Sequence, residues 1–353
     1  MNEPMDAFSD DPLINRWLNQ MTHNRGLALA TVRRYGRFLD RLAIWLATLT
    51  PPCTVLNADT EKLERWTGFE LHKAKLRPQT RKVAVAAVKG FYSWLAKVEI
   101  LKTNPSDSLP SPKVGYGLPR PAHLEHAQSL VMAPNIGTFI GLRDAAMLAI
   151  LIGTGCRVSG LVGLNESDLI WGKNKKGTER LKIRFVEKGQ KERIFPAPLE
   201  VGLLIRAYLG HEATDREDRT LPNGDRVLFV NRNNPTVPAH ERYGEKLRIR
   251  ADSFADILRK YGKEQGIPNV VLHPHAFRHL FGVELAESDV DLLIRQTLLG
   301  HSKPETTGIY TQLAVQKLWE IVDKSNPLGK IRTCVTDIAN EIRRKEAERR
   351  RNE

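Results

Sequence analysis

A proline-rich stretch, NPSDSLPSPKVGYGLPRP, runs from Asn104 to Pro121 and divides the 353-residue chain. It holds five prolines and two glycines. Each proline fixes a backbone angle and removes an amide donor, so neither a helix nor a central strand continues through it. The chain before this stretch therefore folds apart from the chain after it, and the stretch reads as a linker between domains. The length accommodates two domains, and 41% hydrophobic residues supply a core for each. The expected boundaries are an N-terminal helical domain over 11–103, the linker over 104–121, a larger second domain over 122–328 and a basic C-terminal tail over 329–353.

Residues 1–10 read as disordered. From Asp11 the pattern is helical: Leu29, Val32, Tyr35, Leu39, Leu42, Trp45 and Leu49 recur every three or four residues, as on one face of an amphipathic helix that Pro51 and Pro52 end. A second helix is predicted over Asp59–Leu76, with Leu63, Trp66 and Leu71 inward. A third covers Thr80–Val98, with Val83, Ala87, Phe91, Trp94 and Leu95 inward. The second half opens with helices over His123–Ala133 and Gly141–Gly153. A two-residue alternation then places Leu181, Ile183 and Phe185 on one face, and Lys188-Gly189-Gln190 turns the chain into a hairpin. RVLFV reads as another short strand, and helices resume at Asp252–Gly262 and continue to the end. The fold class is mainly α with a small β-sheet.

The charge narrows the partners. Fifty-four Lys and Arg against 41 Asp and Glu give a formal +13, which favours a polyanion such as nucleic acid. Arg33, Arg34, Arg37, Arg77, Arg81, Lys82 and Lys89 cluster near helix starts, where positive side chains and free amides both attract phosphate; they are the DNA-contact candidates, against the plainer reading of a solvated face. The three cysteines, Cys53, Cys156 and Cys334, are dispersed and fit a reducing compartment. The N-terminus has no apolar core for a signal peptide, and the longest apolar run, Ala145–Gly153, is too short to span a bilayer, so a cytoplasmic protein is expected.

Four stretches of the second half hold candidate chemistry. GTGCRVSGLVGL puts Arg157 after a glycine-flanked turn, EKGQKER puts Lys188 at a hairpin tip, HPHAFRHLF puts His275 and Arg278 at i and i+3, and LLGHSKPETTGIYT puts His301 nine residues before Tyr310. Each alone fits a structural role. In this order and spacing the chain resembles the tyrosine recombinases, the phage-integrase and Xer-type site-specific DNA recombinases, from about Asp11 to Pro327. The resemblance implies a helical, SAM-like core-binding domain and an α+β catalytic domain that form a C-shaped clamp on DNA. It also implies that Arg157, Lys188, His275, Arg278 and His301 serve the nucleophile Tyr310, which forms a 3′-phosphotyrosine and frees a 5′-hydroxyl.

The chemistry suits those residue types. A tyrosine ester conserves the phosphodiester energy for later religation. Two guanidiniums match the paired oxygens of a phosphoryl transition state and stay charged. Tyrosine, with an ordinary pKa of about 10, needs a base at neutral pH; the resemblance implies His275. By the same resemblance Lys188, with Lys191 as fallback, is expected to protonate the leaving oxygen and His301 to hydrogen-bond a phosphate oxygen. No metal or nucleotide cofactor is required. Gly300 suits a left-handed helix end, and Ser302-Lys303-Pro304-Glu305 reads as a capping box. Gly308 lowers helix propensity by about 1 kcal/mol relative to Ala two residues before Tyr310, and is expected to let it swing.

One position departs from the family pattern: Gly160 stands where an acidic residue is usual, with Glu166 or Asp168 as possible substitutes. The rival readings are a zinc enzyme built on His273, His275, His279 and His301, a non-catalytic DNA-binding relative, and a type IB topoisomerase. The resemblance implies double-stranded DNA with an inverted-repeat core site and a homotetramer on two paired sites exchanging strands through a Holliday junction, for integration, excision or resolution of DNA elements. The stripe Val315, Leu318, Ile321 and Val322 suits either a neighbouring protomer, as C-terminal exchange, or the chain's own core. Lys330–Glu353, with eight Lys/Arg and five Asp/Glu, reads as an extended tail that reaches a partner or DNA.

Overall fold

The computed structural model describes residues 8–115, 120–174, 177–187, 191–232, 236–300 and 315–351. They form two compact units, Met1–Gly117 and Leu118–Glu353. No helix among the described residues is long and apolar enough to cross a membrane.

The first unit is helical: α1 (Pro12–His23), α2 (Leu29–Ala47), α3 (Thr60–Glu64), α4 (Leu71–Lys73) and α5 (Pro78–Lys97). Asp11 caps α1 by accepting from the amides of Leu13 and Ile14. The predicted Asp59–Leu76 helix exists but is not regular, because Arg65–Glu70 between α3 and α4 has π-helical winding. Leu63, Trp66 and Leu71 nevertheless all reach the core, where they join the fully buried Trp17, Phe91 and Tyr92. On α2 the inward face is Val32, Phe38, Leu39, Leu42 and Leu46, whereas Leu29, expected inward, is exposed because it opens the helix. The start of the proline-rich stretch packs on this unit: Leu109 is buried, and Thr60 donates to the Pro105 carbonyl at 2.9 Å.

The second unit is built around α7 (Phe139–Thr154), which is apolar on nearly every side and buried accordingly. Its one internal ion pair, Arg143–Asp144, is satisfied: Arg143 donates to the Val230 carbonyl at 2.6 Å, and Tyr261 donates to Asp144 at 3.0 Å. Around it lie α6 (Leu124–Met132), α8 (Val158–Val162), α9 (Leu199–Leu209), α10 (Glu212–Asp215), α11 (Ala251–Glu264), α12 (Pro274–Glu287) and α13 (Leu292–Leu299). A three-stranded antiparallel meander, β1 (Leu169–Lys173), β2 (Glu179–Glu187) and β3 (Lys191–Pro196), covers one side. Leu181, Ile183 and Phe185 face the core as their alternation predicts. RVLFV is not a strand; Val227 and Val230 make only single bridges, to Asn165 and Arg248.

The C-terminal segments fold back onto this unit. α14 (Val315–Ser325) buries Leu318 and Val322, and Asp323 accepts a two-pronged bond from the buried Arg180 at 2.7 and 2.8 Å. α15 (Thr336–Arg351) is clasped by Arg343 to the buried Glu200 at 2.5 Å. The expectation of an extended tail is therefore corrected. Two buried charges on the second unit, Arg180 and Glu200, would be left unpaired if these segments lifted away, and that cost keeps them docked.

Candidate active site

Three helix ends assemble the site. α7 ends at Gly155 in the left-handed conformation, φ 57°. A Cβ there would stand 2.7 Å from the Phe281 ring, so glycine serves both the turn and the close approach of α12. Two residues on, half-buried Arg157 sits at the N-cap of α8. Cys156 between them is buried, and burial pushes its thiol pKa up, so it stays an uncharged thiol beside the guanidiniums.

α12 carries the histidine–arginine pair. His273 caps it, its Nδ1 accepting from the Ala276 amide at 3.2 Å, and Pro274 opens it. His275 is exposed one turn from Arg278, which is buried with 7% exposure. Arg278 donates to the Gly155 carbonyl at 2.6 Å and to the Leu299 carbonyl. It thereby satisfies orphan carbonyls at the ends of both α7 and α13, where a cation also suits the helix dipole. Burial first and Arg157 second push its pKa down to about 10, so it stays charged at neutral pH. The pKa of His275 is lowered by lost hydration, then by Arg278, His279, His273 and Arg157, which favours the neutral imidazole a base requires.

The third end is that of α13, capped at its start by Asp291 and closed by Gly300 at φ 64°, the left-handed end its sequence predicts. A residue not singled out from sequence joins it here. Arg193 on β3 lies opposite Phe185 in the sheet, with its guanidinium 5.3 and 5.4 Å from the Phe185 and Phe195 rings. It donates to the Leu298 carbonyl. The residue is half-buried, but its Nε and Nη2 are sealed from solvent. The signal in sequence was its register: strand alternation that turns Phe195 inward also turns Arg193 inward.

Arg157, His275 and Arg278 thus share one neighbourhood. Lys188, His301, Tyr310, Gly308 and the capping box at Ser302 lie outside the described residues. Gly160 is buried against β2, its virtual Cβ 3.4 Å from the Phe185 ring. The acidic residues expected to substitute for it are engaged elsewhere: Glu166 pairs with Arg219 at 2.6 Å, and Asp168 with Arg184 at 2.8 Å. Among the described residues no three His, Cys, Asp or Glu side chains group as a metal site.

In the helical unit Arg33, Arg34 and Arg37 stand exposed on α2. Arg77 is the exposed N-cap of α5; Arg81 and Lys82 follow in its first turns, with Lys82 exposed and Arg81 half-buried. Lys89 donates to the Asp107 carbonyl at 3.2 Å and is thus shared with the proline-rich stretch.

Residues 123–317 match the phage integrase family, and residues 14–99 match the N-terminal SAM-like domain of phage integrases. The chain is similar to tyrosine recombinase XerD of Listeria innocua, 30% identical over 320 residues that cover 89% of this chain and 98% of that one. XerD of Proteus mirabilis is 29% identical, with coverage of 91% and 94%. The fold is shared with XerH recombinase bound to its difH substrate before cleavage, at a TM-score of 0.61 and 16% identity over 90% of this chain and 98% of that one. It is shared too with the Tn1549 transposon integrase in complex with transposon right-end DNA, at a TM-score of 0.55 and 17% identity over 95% and 99%.

Proposed function

The chain belongs to the phage integrase family and is a site-specific DNA recombinase; from that premise we propose how it cuts and rejoins a strand. The Tyr310 hydroxyl passes its proton to His275 and attacks phosphorus. The bond from phosphorus to the 5′-oxygen breaks, and that oxygen takes a proton from Lys188, or from Lys191. A 3′-phosphotyrosine and a free 5′-hydroxyl result. Arg157 and Arg278 hold the non-bridging oxygens, and His301 hydrogen-bonds one of them. A 5′-hydroxyl from the paired site then attacks the phosphotyrosine, and two such rounds pass through a Holliday junction.

The observation that carries this reading is the meeting of Arg157 and Arg278 beside a histidine whose pKa they and lost hydration depress. Two fixed cations bind a phosphate, and a neutral imidazole among them accepts a proton from a phenol. No step uses a metal, and cleavage should persist in chelator. Arg33, Arg34, Arg37, Arg77, Arg81, Lys82 and Lys89 contact backbone phosphates outside the cut. Two protomers occupy inverted half-sites, and a tetramer forms on two paired sites.

The test is to trap the protein on fragmented DNA nicked to release the leaving strand, then to recover and sequence what remains covalently bound. One shared sequence is expected with the native chain and none with Tyr310→Phe. An adduct that survives Tyr310→Phe would displace the tyrosine, and no adduct at all would favour a binding-only relative, which Gly160 alone supports.

A further inference from the structure

Arg193 sits where three parts of the catalytic unit meet. Its strand, β3, begins at Lys191, three residues after Lys188. Its guanidinium lies against Phe185 and Phe195 and donates to the Leu298 carbonyl, in the last turn of α13. Phe195 in turn meets the Phe281 ring edge-on, with centroids 5.9 Å apart, and Phe281 is the ring that Gly155 must clear. Burying a guanidinium is costly unless it is charge-paired or hydrogen-bonded, and a surface strand position would have avoided that cost. Arg193 and Arg278 instead cap adjacent carbonyls of the same helix end, Leu298 and Leu299.

We propose that Arg193 is a positioning residue for strand cleavage. Its bond to the Leu298 carbonyl sets the exit of α13, from which the segment bearing His301 and Tyr310 departs, against the strand that leads from Lys188. The nucleophile side and the leaving-group side of the reaction are thereby registered to each other. A lysine has the charge for this but not the planar fork that reaches past two rings to a carbonyl. The inference rests on the roles given above to Lys188, His301 and Tyr310, and its first measurement does not depend on them.

The experiment uses the full chain with Arg193→Met and Arg193→Lys. In the free protein, amide hydrogen exchange over Leu292–Gly300 should quicken on the order of 10-fold in both variants, with protection in α7 unchanged. On the nicked duplex recovered by trapping, single-turnover cleavage at saturating DNA should fall about 100-fold in Arg193→Met and less in Arg193→Lys, because a displacement of about 1 Å has that effect. DNA affinity should hold within about twofold, since ground-state binding is not what is lost. Native exchange rates over Leu292–Gly300 would overturn the proposal, as would affinity and cleavage falling together. If Arg193→Met does not fold, Arg193→Lys carries both readings. If the native chain forms no adduct, the functional reading fails, and the exchange measurement still decides whether Arg193 sets the end of α13.

Discussion

Arg33, Arg34 and Arg37 stand exposed on α2 in the helical unit, whereas Arg278 in the catalytic unit is buried and uses two of its five N–H groups on the carbonyls of Gly155 and Leu299. The charge is the same and the settings are opposite. An exposed guanidinium on a solvated helix attracts any phosphate within a Debye length, is screened by salt and fixes no geometry. A buried one is held to a fraction of an ångström by the helix ends it caps, and it meets a phosphate without first reorganising. On the proposed reading the first kind supplies affinity and the second the rate. The two regions should therefore fail differently when their arginines are removed.

The largest effect should follow Arg278→Ala. Loss of one preorganised donor to a transition-state oxygen costs on the order of 10³ in rate. Cleavage measured in single turnover at saturating DNA should fall by that factor, with affinity little changed. Equal losses in affinity and rate would erase the distinction between the two kinds of arginine.

Next is Gly155→Ala, which tests the scaffold under the buried arginine. A side chain at φ 57° is strained, and its Cβ would stand 2.7 Å from the Phe281 ring. Strain and overpacking together should cost about 3 kcal/mol. Thermal unfolding of the catalytic unit should shift down by roughly 10 °C, and the helical unit's transition should not move. A common shift of both transitions would mean that the two units unfold as one.

How much of this contrast could be read from sequence differs between the regions. Helical periodicity located α2 and α5, because one buried face at 3.6 residues per turn leaves a plain trace. Arg157, His275 and Arg278 were legible because motif order and spacing mark them. Arg193 was not, because a charged residue on a strand reads as solvent-facing until register shows it opposite the buried Phe185. β1 escaped because LIWGK is short and shows no clean alternation; pairing with β2 creates it. RVLFV misled in the other direction: its composition favours a strand, but its partners, Thr220, Asn165 and Arg248, offer only isolated bridges. Glu166 and Asp168 lie close to Gly160 in sequence, yet each is taken by an arginine that only the folded chain brings to it.

A third, smaller effect probes the exposed set. Replacing Arg33, Arg34 and Arg37 together by Ala should lower the slope of log affinity against log salt by about 0.9 for each that meets a phosphate. Cleavage at saturating DNA should stay within about twofold, because uniform binding does not change the chemical step. A salt slope equal to the native one would place the α2 arginines off the DNA.

The smallest effect joins the buried arginine to the proton it helps move. In the proposed mechanism His275 is the base, a role open only to its neutral ring. Its pKa is lowered by lost hydration and then by Arg278, with His279, His273 and Arg157 adding in the same sense. A lowered pKa means that the imidazolium gives up its proton at a lower pH than usual, so the ring is already neutral at pH 7. Cleavage under subsaturating DNA should therefore be nearly flat from about pH 7 to 8 and decline only as pH drops below the ordinary histidine value of about 6.5. Bound phosphate adds a negative charge beside the ring and favours the protonated form, so the decline at saturating DNA should begin at a higher pH. Arg278→Ala removes one of the cations and should move the free protein's His275 titration upward, read by NMR with His275→Gln as the assignment control. A titration that stays in place would mean that lost hydration alone sets the basicity of His275, and the buried arginine would then act on the phosphate without tuning the base.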